Sequence, residues 1–556
     1  MNILGMTHPI SWNSAACTII DGCLVAMAEE ERFNKIKHSP NIPPVNAIKY
    51  CLAASGLMLE KIDFIAVGFN SAYQLVLEDL QSELSIDNND QGSLSGQFSE
   101  LLDKADPWIK RIKALEEKLP LIDEVSEKFV FVNHHLAHAS SAFFPSGFTQ
   151  ANIISLDGSG GREAGILAFG HDRKIDILKK IPDENSWGNA YEVITEILGF
   201  QRHSGEGKTM GLAAYGLRDK RGLPFVIIDD DGIPLIDPIA LEEFRDENQP
   251  RQKGEKITDY HRNLAATMQY EFERAILCMA EWISNQTGIS SFCLAGGGAL
   301  NCSANGILLS QDFVKDVFVQ PVANDAGTAL GAALFVDSQE NSKKSNWVMD
   351  HVYWGPEYSD NEILHALEKF SDITFHKSID ICKETALLLA SGKIVGWFQG
   401  RLEVGPRALG NRSILANPSD ATMKDKVNIL KGREMWRPLA PSILYDEVKA
   451  YLSPPRKSPF MTVSFDINKT NLDKIISSVH VDNTCRPQTV DKYQNNRFWN
   501  LINEFKLLTD IPVLLNTSFN LDGQPIVNTP NDAIQTYLRS RLDFLCIGSY
   551  VVSRKT

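Results

Sequence analysis

The feature that most restricts the fold of this chain is a strand–turn–strand unit that occurs twice. The first copy opens the chain. Residues 2–5 and 14–29 read as strands, and Asp21-Gly22 turns Ala15–Ile20 back onto Cys23–Ala28. Asp-Gly between apolar runs is a hairpin signal, because the turn that matches strand twist needs φ > 0 at both central residues. At residue 152 the pattern restarts with a strand Asn152–Leu156, the turn Asp157-Gly-Ser-Gly-Gly161, and strands Ala164–Gly170 and Ile175–Lys179. The repeat is weak in residue identity and clear in layout. It predicts an α/β chain built by duplication.

Duplicated units of this kind resemble the actin-like, sugar-kinase-like ATPase (ASKHA) fold, in which each repeat points a turn at the phosphates of a nucleotide held between them. Glycine turns suit that task, since their N–H groups converge on anions and the backbone can come close. The first copy is followed by a helix over about 43–54, a strand Ile62–Gly68 and an acidic, helical stretch, 74–127, read as a peripheral insertion. Behind the second copy lie a long helix over about 263–286, with Met268, Phe272, Ile276, Met279 and Ile283 at core spacing, and a strand ending in Gly296-Gly297-Gly298. A strand Val317–Val322 then leads through Asn324-Asp325-Ala-Gly327 into a small-residue helix.

Phe131-Val-Asn-His-His-Leu-Ala-His-Ala-Ser140 reads as a strand delivering the chain into a helix. His134 and His138 stand four residues apart there and share one face, whereas His135 points elsewhere. Two imidazoles at that spacing can grip one divalent ion if carboxylates complete the shell, and Asp157 and Asp325 each sit in a Gly-rich turn after an apolar run. The alternative is a His-rich helix start whose rings cap or pack. Mixed N/O ligands suit Fe²⁺ first, with Zn²⁺ or Mn²⁺ as further candidates.

Three other stretches carry weaker signals. Glu29-Glu-Glu-Arg-Phe-Asn-Lys-Ile-Lys-His38 reads as a solvated exit loop, with Lys37 as the one ligand candidate. Gly205-Glu206-Gly-Lys208 reads as a flexible loop whose charges bind ligand or merely face water; it lacks Walker A spacing. Gly296–Gly298 suits a nucleotide at a helix N-terminus or, equally, tight helix–sheet packing.

Charge and cysteine content exclude several classes. With 70 acidic and 55 basic side chains the net charge is −15, which argues against a generic nucleic-acid or anionic-membrane binder. Nine cysteines without a C-x-x-C pair read as small buried hydrophobes in a reducing compartment. The start of the chain lacks the features of a secretion signal, and no apolar run approaches the roughly 20 residues that span a bilayer. A cytoplasmic location is expected. His-Glu-x-x-His is absent, so a metalloprotease is not.

A polar stretch around 339–347 reads as a linker between 1–338 and 348–556. Beyond it, arginines sit in stiff Gly/Pro settings: Arg401-Leu-Glu-Val-Gly-Pro-Arg407-Ala-Leu-Gly-Asn-Arg412, Lys431-Gly-Arg-Glu-Met-Trp-Arg437-Pro, Asp482-Asn-Thr-Cys-Arg486-Pro, and Leu515-Asn516-Thr-Ser518-Phe. Guanidinium forks on rigid backbone are how proteins bind phosphate bidentately.

These four segments resemble the C-terminal domain of the O-carbamoyltransferases, the family of the nodulation protein NodU and of the enzymes that carbamoylate tobramycin and cephamycins. Ala28-Glu-Glu-Glu-Arg-Phe33, His134-His-Leu-Ala-His-Ala139, Gly205-Glu-Gly-Lys208 with Met-Gly-Leu-Ala213, and Ala295-Gly-Gly-Gly298 extend the likeness over nearly the whole chain. The resemblance implies a Kae1-like transfer domain (1–338) and an α/β YrdC-like domain (348–556). Carbamoyl phosphate and ATP, with Mg²⁺ accompanying the ATP, would give carbamoyl adenylate in the second. A small-molecule hydroxyl (natural product, sugar or antibiotic) would take the carbamoyl group in the first.

Carried across by position, His134, His138, Asp157 and Asp325 would hold the metal. Arg407, Lys431, Arg437, Arg486, Asn516 and Ser518 would bind ATP and carbamoyl phosphate. Lys37, Glu206, Lys208 and Gly296–Gly298 are expected around the adenylate, and His138, Asp157, Arg486 and Ser518 are the residues expected to carry catalysis. Many relatives have His-Asp where this chain has Trp12-Asn13, which leaves the base unassigned; neither His8 nor Asp21 is given that role. Neither nucleic acid nor membrane is an expected partner, and a homodimer is compatible with this reading. Rivals are a tRNA threonylcarbamoyladenosine-type enzyme and a nucleotide-binding scaffold without chemistry.

Overall fold

A computed structural model describes residues 1–84, 102, 105–341 and 345–555. Two five-stranded sheets repeat one strand order. The first runs Cys23–Glu29, Ala15–Ile20, Asn2–Met6, Phe64–Val67, Phe129–Phe131. The second runs Lys174–Pro182, Glu163–His171, Gln150–Leu156, Ser291–Ala295, Asp316–Val319. In each, a two-hairpin meander is antiparallel and two more strands join it in parallel. Matching pairing in both halves establishes the duplicated actin-like architecture. Asp21 and Gly22 have φ of 48° and 75°, as the first hairpin requires.

Helices His134–Phe143 and Ala326–Glu340 lie side by side between the sheets. Their closeness depends on Gly331, where a Cβ would stand 1.7 Å from the Ala137 carbonyl oxygen. That approach places Asp325, at the start of one helix, beside the His138 face of the other. Helix Ala326–Glu340 also runs into the stretch expected to be a linker, and residues 342–344 of that stretch lie outside the described residues.

Of the expected insertion, residues 85–101 and 103–104 lie outside the described residues. Two of its described helices, Ala72–Leu84 and Pro107–Glu116, bury Leu75, Val76, Ile109 and Ile112 around Phe69. Phe69 in turn meets His134 edge-on at 5.3 Å between ring centroids.

The last third forms one mixed eight-stranded sheet, in the order Ile373–Lys377, Tyr550–Arg554, Phe544–Ile547, Val395–Phe398, Arg412–Ala416, Val513–Ser518, Ala440–Leu444, Gln488–Val490. Helices including Ile381–Ala390 and Asn496–Thr509 pack on it, the expected α/β arrangement. Among the described residues no helix is long and apolar enough to cross a membrane.

The charges of 29–32 correct the sequence reading: they are not solvated. Glu29, Glu30, Glu31 and Arg32 are 1–4% exposed. Arg32 Nη2 donates to Glu29 Oε2 at 2.7 Å and to the Gly405 carbonyl at 2.9 Å, and the Gly405 N–H donates to Glu29 Oε2 at 3.2 Å. The burial comes from a chain segment 373 residues away, which local polarity does not reveal. Removing one partner of such a buried pair typically costs about 3–5 kcal/mol.

Candidate functional site

Helix His134–Phe143 starts where Asn133 accepts a hydrogen bond from the Leu136 N–H at 3.0 Å. Its first turn is thereby fixed, and His134 and His138 face Asp157, which follows strand Gln150–Leu156, and Asp325, which caps the start of helix Ala326–Glu340. The four side chains offer ligand atoms that all lie within 4.8 Å of one another. His138 Nε2 is 3.1 Å from His134 Nε2 and 3.0 Å from Asp157 Oδ2; Asp325 Oδ1 is 3.9 Å from both imidazoles.

This donor set fits a divalent cation. Ligands about 2.0–2.2 Å from one ion stand roughly 3–3.5 Å apart along a polyhedron edge, close to the separations observed. The tautomer fits too: His134 Nδ1–H donates to the Gly68 carbonyl at 3.4 Å, which leaves the Nε2 lone pair facing the carboxylates. Burial alone would raise the Asp157 carboxyl, but the two imidazoles beside it hold it well below the usual carboxylate range. Burial and the nearby Asp157 charge push Asp325 upward. His135 stays outside the cluster, its Nε2–H donating to the Glu163 carbonyl at 2.8 Å.

Close backbone supports the cluster. A Cβ on Gly160 would fall 2.2 Å from His134 Cδ2, and one on Gly297 would fall 2.9 Å from Asp157 Oδ1. Gly297 therefore backs Asp157, while Gly296 and Gly298 lie against Leu156, the residue before it. The 8–14 loop closes the other side, where the Trp12 N–H donates to Asp325 Oδ2 at 2.6 Å. Asp21 bonds the chain's N-terminal amine at a distant hairpin.

The second cluster is cationic. Lys431 is 5% exposed and its Nζ donates to the Ser518 carbonyl, to Ser518 Oγ at 3.2 Å and to Asn520 Oδ1 at 2.8 Å. Burial, then the charges of Arg433 and Arg437, push it well below the ordinary lysine value. Burial likewise lowers Arg407 to about 9, aided by Arg486 and Arg437, and lowers Arg433 to about 9, aided by Arg437 and Arg486. Mutually repelling buried cations are a site made for an anion. Asn516, on the same strand as Ser518, donates to Ser442 Oγ at 3.0 Å. The Lys37 Nζ lies 3.7 Å from Glu31 Oε1, and its charge adds to those that lower Lys431.

Arg433 was not singled out by sequence, although it lies within the Lys431–Arg437 motif. Its Nε donates to Asn428 Oδ1 at 2.6 Å. Glu206 and Lys208 need a second correction: they sit on helix Glu206–Ala213, not in a flexible loop, because packing on the long helix Asp259–Thr287 overrides two glycines. Burial raises Glu206 to about 7. Lys208 crosses to the other lobe and donates to Glu434 Oε1 at 2.8 Å.

Residues 2–226 and 237–334 match the family model for the carbamoyltransferase N-terminus, and 386–554 match that for the carbamoyltransferase C-terminus. Nodulation protein NolNO of Sinorhizobium fredii (strain NBRC 101917 / NGR234) is 37% identical over 574 residues, covering 100% of this chain and 81% of its own. Nodulation protein NolO of Bradyrhizobium diazoefficiens is 39% identical over 440 residues, 76% of this chain and 79% of its own. Among solved structures, HypF of T. kodakarensis aligns at 12% identity and TM-score 0.35 over 62% of this chain and 49% of that one.

Proposed function

Because the chain belongs to the carbamoyltransferase family, we propose that it is an ATP-dependent O-carbamoyltransferase working through carbamoyl adenylate. The observation that carries this reading is the pairing of a four-ligand cation cluster in one lobe with a buried cationic cluster in the other. Arg407, Lys431, Arg433, Arg437 and Arg486 neutralise two phosphorylated reactants that would otherwise repel; water releases phosphate from carbamoyl phosphate, and the carbamate oxygen then attacks the α-phosphorus of ATP and expels pyrophosphate. Ser518 and Asn516 line that chamber. Mg²⁺ accompanies the ATP.

The mixed anhydride is then used in the duplicated lobe. A hydroxyl of a small-molecule acceptor adds to the carbamoyl carbon, and AMP leaves. His134, His138, Asp157 and Asp325 would hold a divalent ion, Fe²⁺ by preference, which when bound supplies Lewis-acid polarisation and charge neutralisation. Gly296–Gly298 and helix Glu206–Ala213 border the adenylate, and the Trp12 N–H keeps one Asp325 oxygen turned away from the imidazoles. In this reading residues 1–338 transfer, 348–556 activate, 339–347 join them, and the enzyme acts in the cytoplasm.

The test is pyrophosphate release from ATP, with and without carbamoyl phosphate, followed by mass detection of one added carbamoyl group across aminoglycosides, sugars and macrolides. Pyrophosphate release that ignores carbamoyl phosphate would reject the proposal.

A further inference from the structure

The histidines around the cation cluster differ in what their ring nitrogens can still do. His134 and His138 face the carboxylates, and His135 is committed to the Glu163 carbonyl. His8 is buried and its Nδ1 accepts from the Ile10 N–H at 3.0 Å, so its proton sits on Nε2 and no lone pair is left. In His38, Nδ1 accepts from the Asn13 side-chain amide at 2.9 Å, with the same result.

His203 is arranged the other way round. Its Nδ1 is 2.6 Å from Glu192 Oε1. A carboxylate only accepts, so the proton is on Nδ1 and the Nε2 lone pair is free; Nε2 has no partner among the described residues. The side chain is 41% exposed, open to a reactant. Two contacts tie the dyad to the cation cluster. The His203 ring lies 4.3 Å from the ring of Trp12, a residue whose backbone N–H holds Asp325. On the other side Glu192 borders the residue after Asp157, since a Cβ on Gly158 would stand 3.5 Å from Glu192 Oε1. His203 also has φ of 62°, a conformation that non-glycine residues rarely adopt and that gathers at functional positions.

We propose that His203 is the general base for the acceptor hydroxyl and that Glu192 is its positioning residue, an assignment that rests on the two-step reading above. The hydroxyl proton passes to His203 Nε2 as the hydroxyl oxygen bonds the carbamoyl carbon. The bond from that carbon to the phosphate oxygen breaks, and AMP leaves with the electron pair. Glu192 balances the imidazolium that forms. Its hydrogen bond already raises His203 above the ordinary histidine value, with the charge of Glu206 acting the same way and Arg202 opposing; His38 stands nearby as well.

The experiment supplies ATP, carbamoyl phosphate and one of two probes, glycerol or hydroxylamine, to the full chain. Glycerol must lose a proton as it attacks, whereas hydroxylamine arrives with its lone pair available. His203→Asn, which suits left-handed backbone, is expected to lower carbamoyl-glycerol formation at least about 100-fold while pyrophosphate release and hydroxyurea formation stay within about twofold. Free imidazole is expected to restore part of the glycerol product to His203→Ala. In Glu192→Gln, the rise of glycerol transfer with pH should move to lower pH. An unchanged glycerol-to-hydroxylamine ratio in His203→Asn overturns the base assignment alone, as does a wild-type protein that serves hydroxylamine but never glycerol. Absence of pyrophosphate release in the wild type overturns the two-step reading and this assignment with it.

Discussion

Lys208 Nζ donates to Glu434 Oε1 at 2.8 Å, and this pair ties helix Glu206–Ala213 to the turn that holds Arg433 and Arg437. The two side chains are 24% and 32% exposed, so the contact itself is worth at most about 1 kcal/mol. Lys208→Ala is therefore expected to leave the denaturation midpoint almost unmoved and yet to raise the pyrophosphate released per carbamoyl group transferred. The charge swap Lys208→Glu with Glu434→Lys should recover the wild-type ratio. Equal ratios in all three proteins would show that the pair does not align the lobes.

Removing a cation ligand separates the two halves of the reaction. His138→Ala is expected to abolish transfer while carbamoyl-phosphate-dependent pyrophosphate release continues. Simultaneous loss of both would contradict separate sites.

Gly160→Ala tests the same centre without replacing a ligand. The added Cβ, 2.2 Å from His134 Cδ2, must push the ring aside. Metal retained after dialysis, read by elemental analysis, should fall by about tenfold or more, the scale of a lost supporting contact.

The cationic cluster should behave as a functional site that costs stability. Lys431→Met or Arg433→Met relieves repulsion among buried like charges, so each variant is expected to melt no lower than wild type while pyrophosphate release drops by at least about 100-fold. Pyrophosphate near 100 times its Kd should stabilise the wild type by about 2.7 kcal/mol, and the variants less at equal concentration. Variants that melt well below wild type would assign these residues to structure instead.

His8 sets an acid limit on the fold. Burial lowers it from 6.5 to about 3, so the native state binds its proton later than the unfolded chain does. The stabilisation is complete above about pH 6.5 and is lost progressively as pH falls towards 3. Between pH 7.5 and 5 this one group should remove about 2 kcal/mol. In denaturant titrations, His8→Gln should lose less over that interval than the wild type; equal losses would place the ring in water.

The duplication could be read from the sequence because turns and apolar runs are local signals, and both Asp21-Gly22 and the Asp157–Gly161 turn announce their hairpins. The cation ligands were partly legible, since His134 and His138 share a helix face by spacing alone, whereas Asp157 and Asp325 join them only through tertiary contacts such as the Gly331 approach. Long-range partners stayed hidden. Glu29–Arg32 look solvated until Gly405 arrives, and Gly205–Lys208 look flexible until the long helix packs against them. His203 carries no motif; only its distance to Glu192, eleven residues earlier, and its backbone conformation draw attention to it.

The contact of Arg32 and Glu29 with Gly405 has a consequence for inheritance. A half-protein ending near the 339–347 stretch would expose an ionic knot to water, and the opposite half would lose the anchor of the turn leading to Arg407. A chimaera joined at that seam has to exchange 29–32 and the 403–407 turn as a matched set. Ancestral shuffling of these two lobes would have been constrained by a handful of atoms at the seam between them.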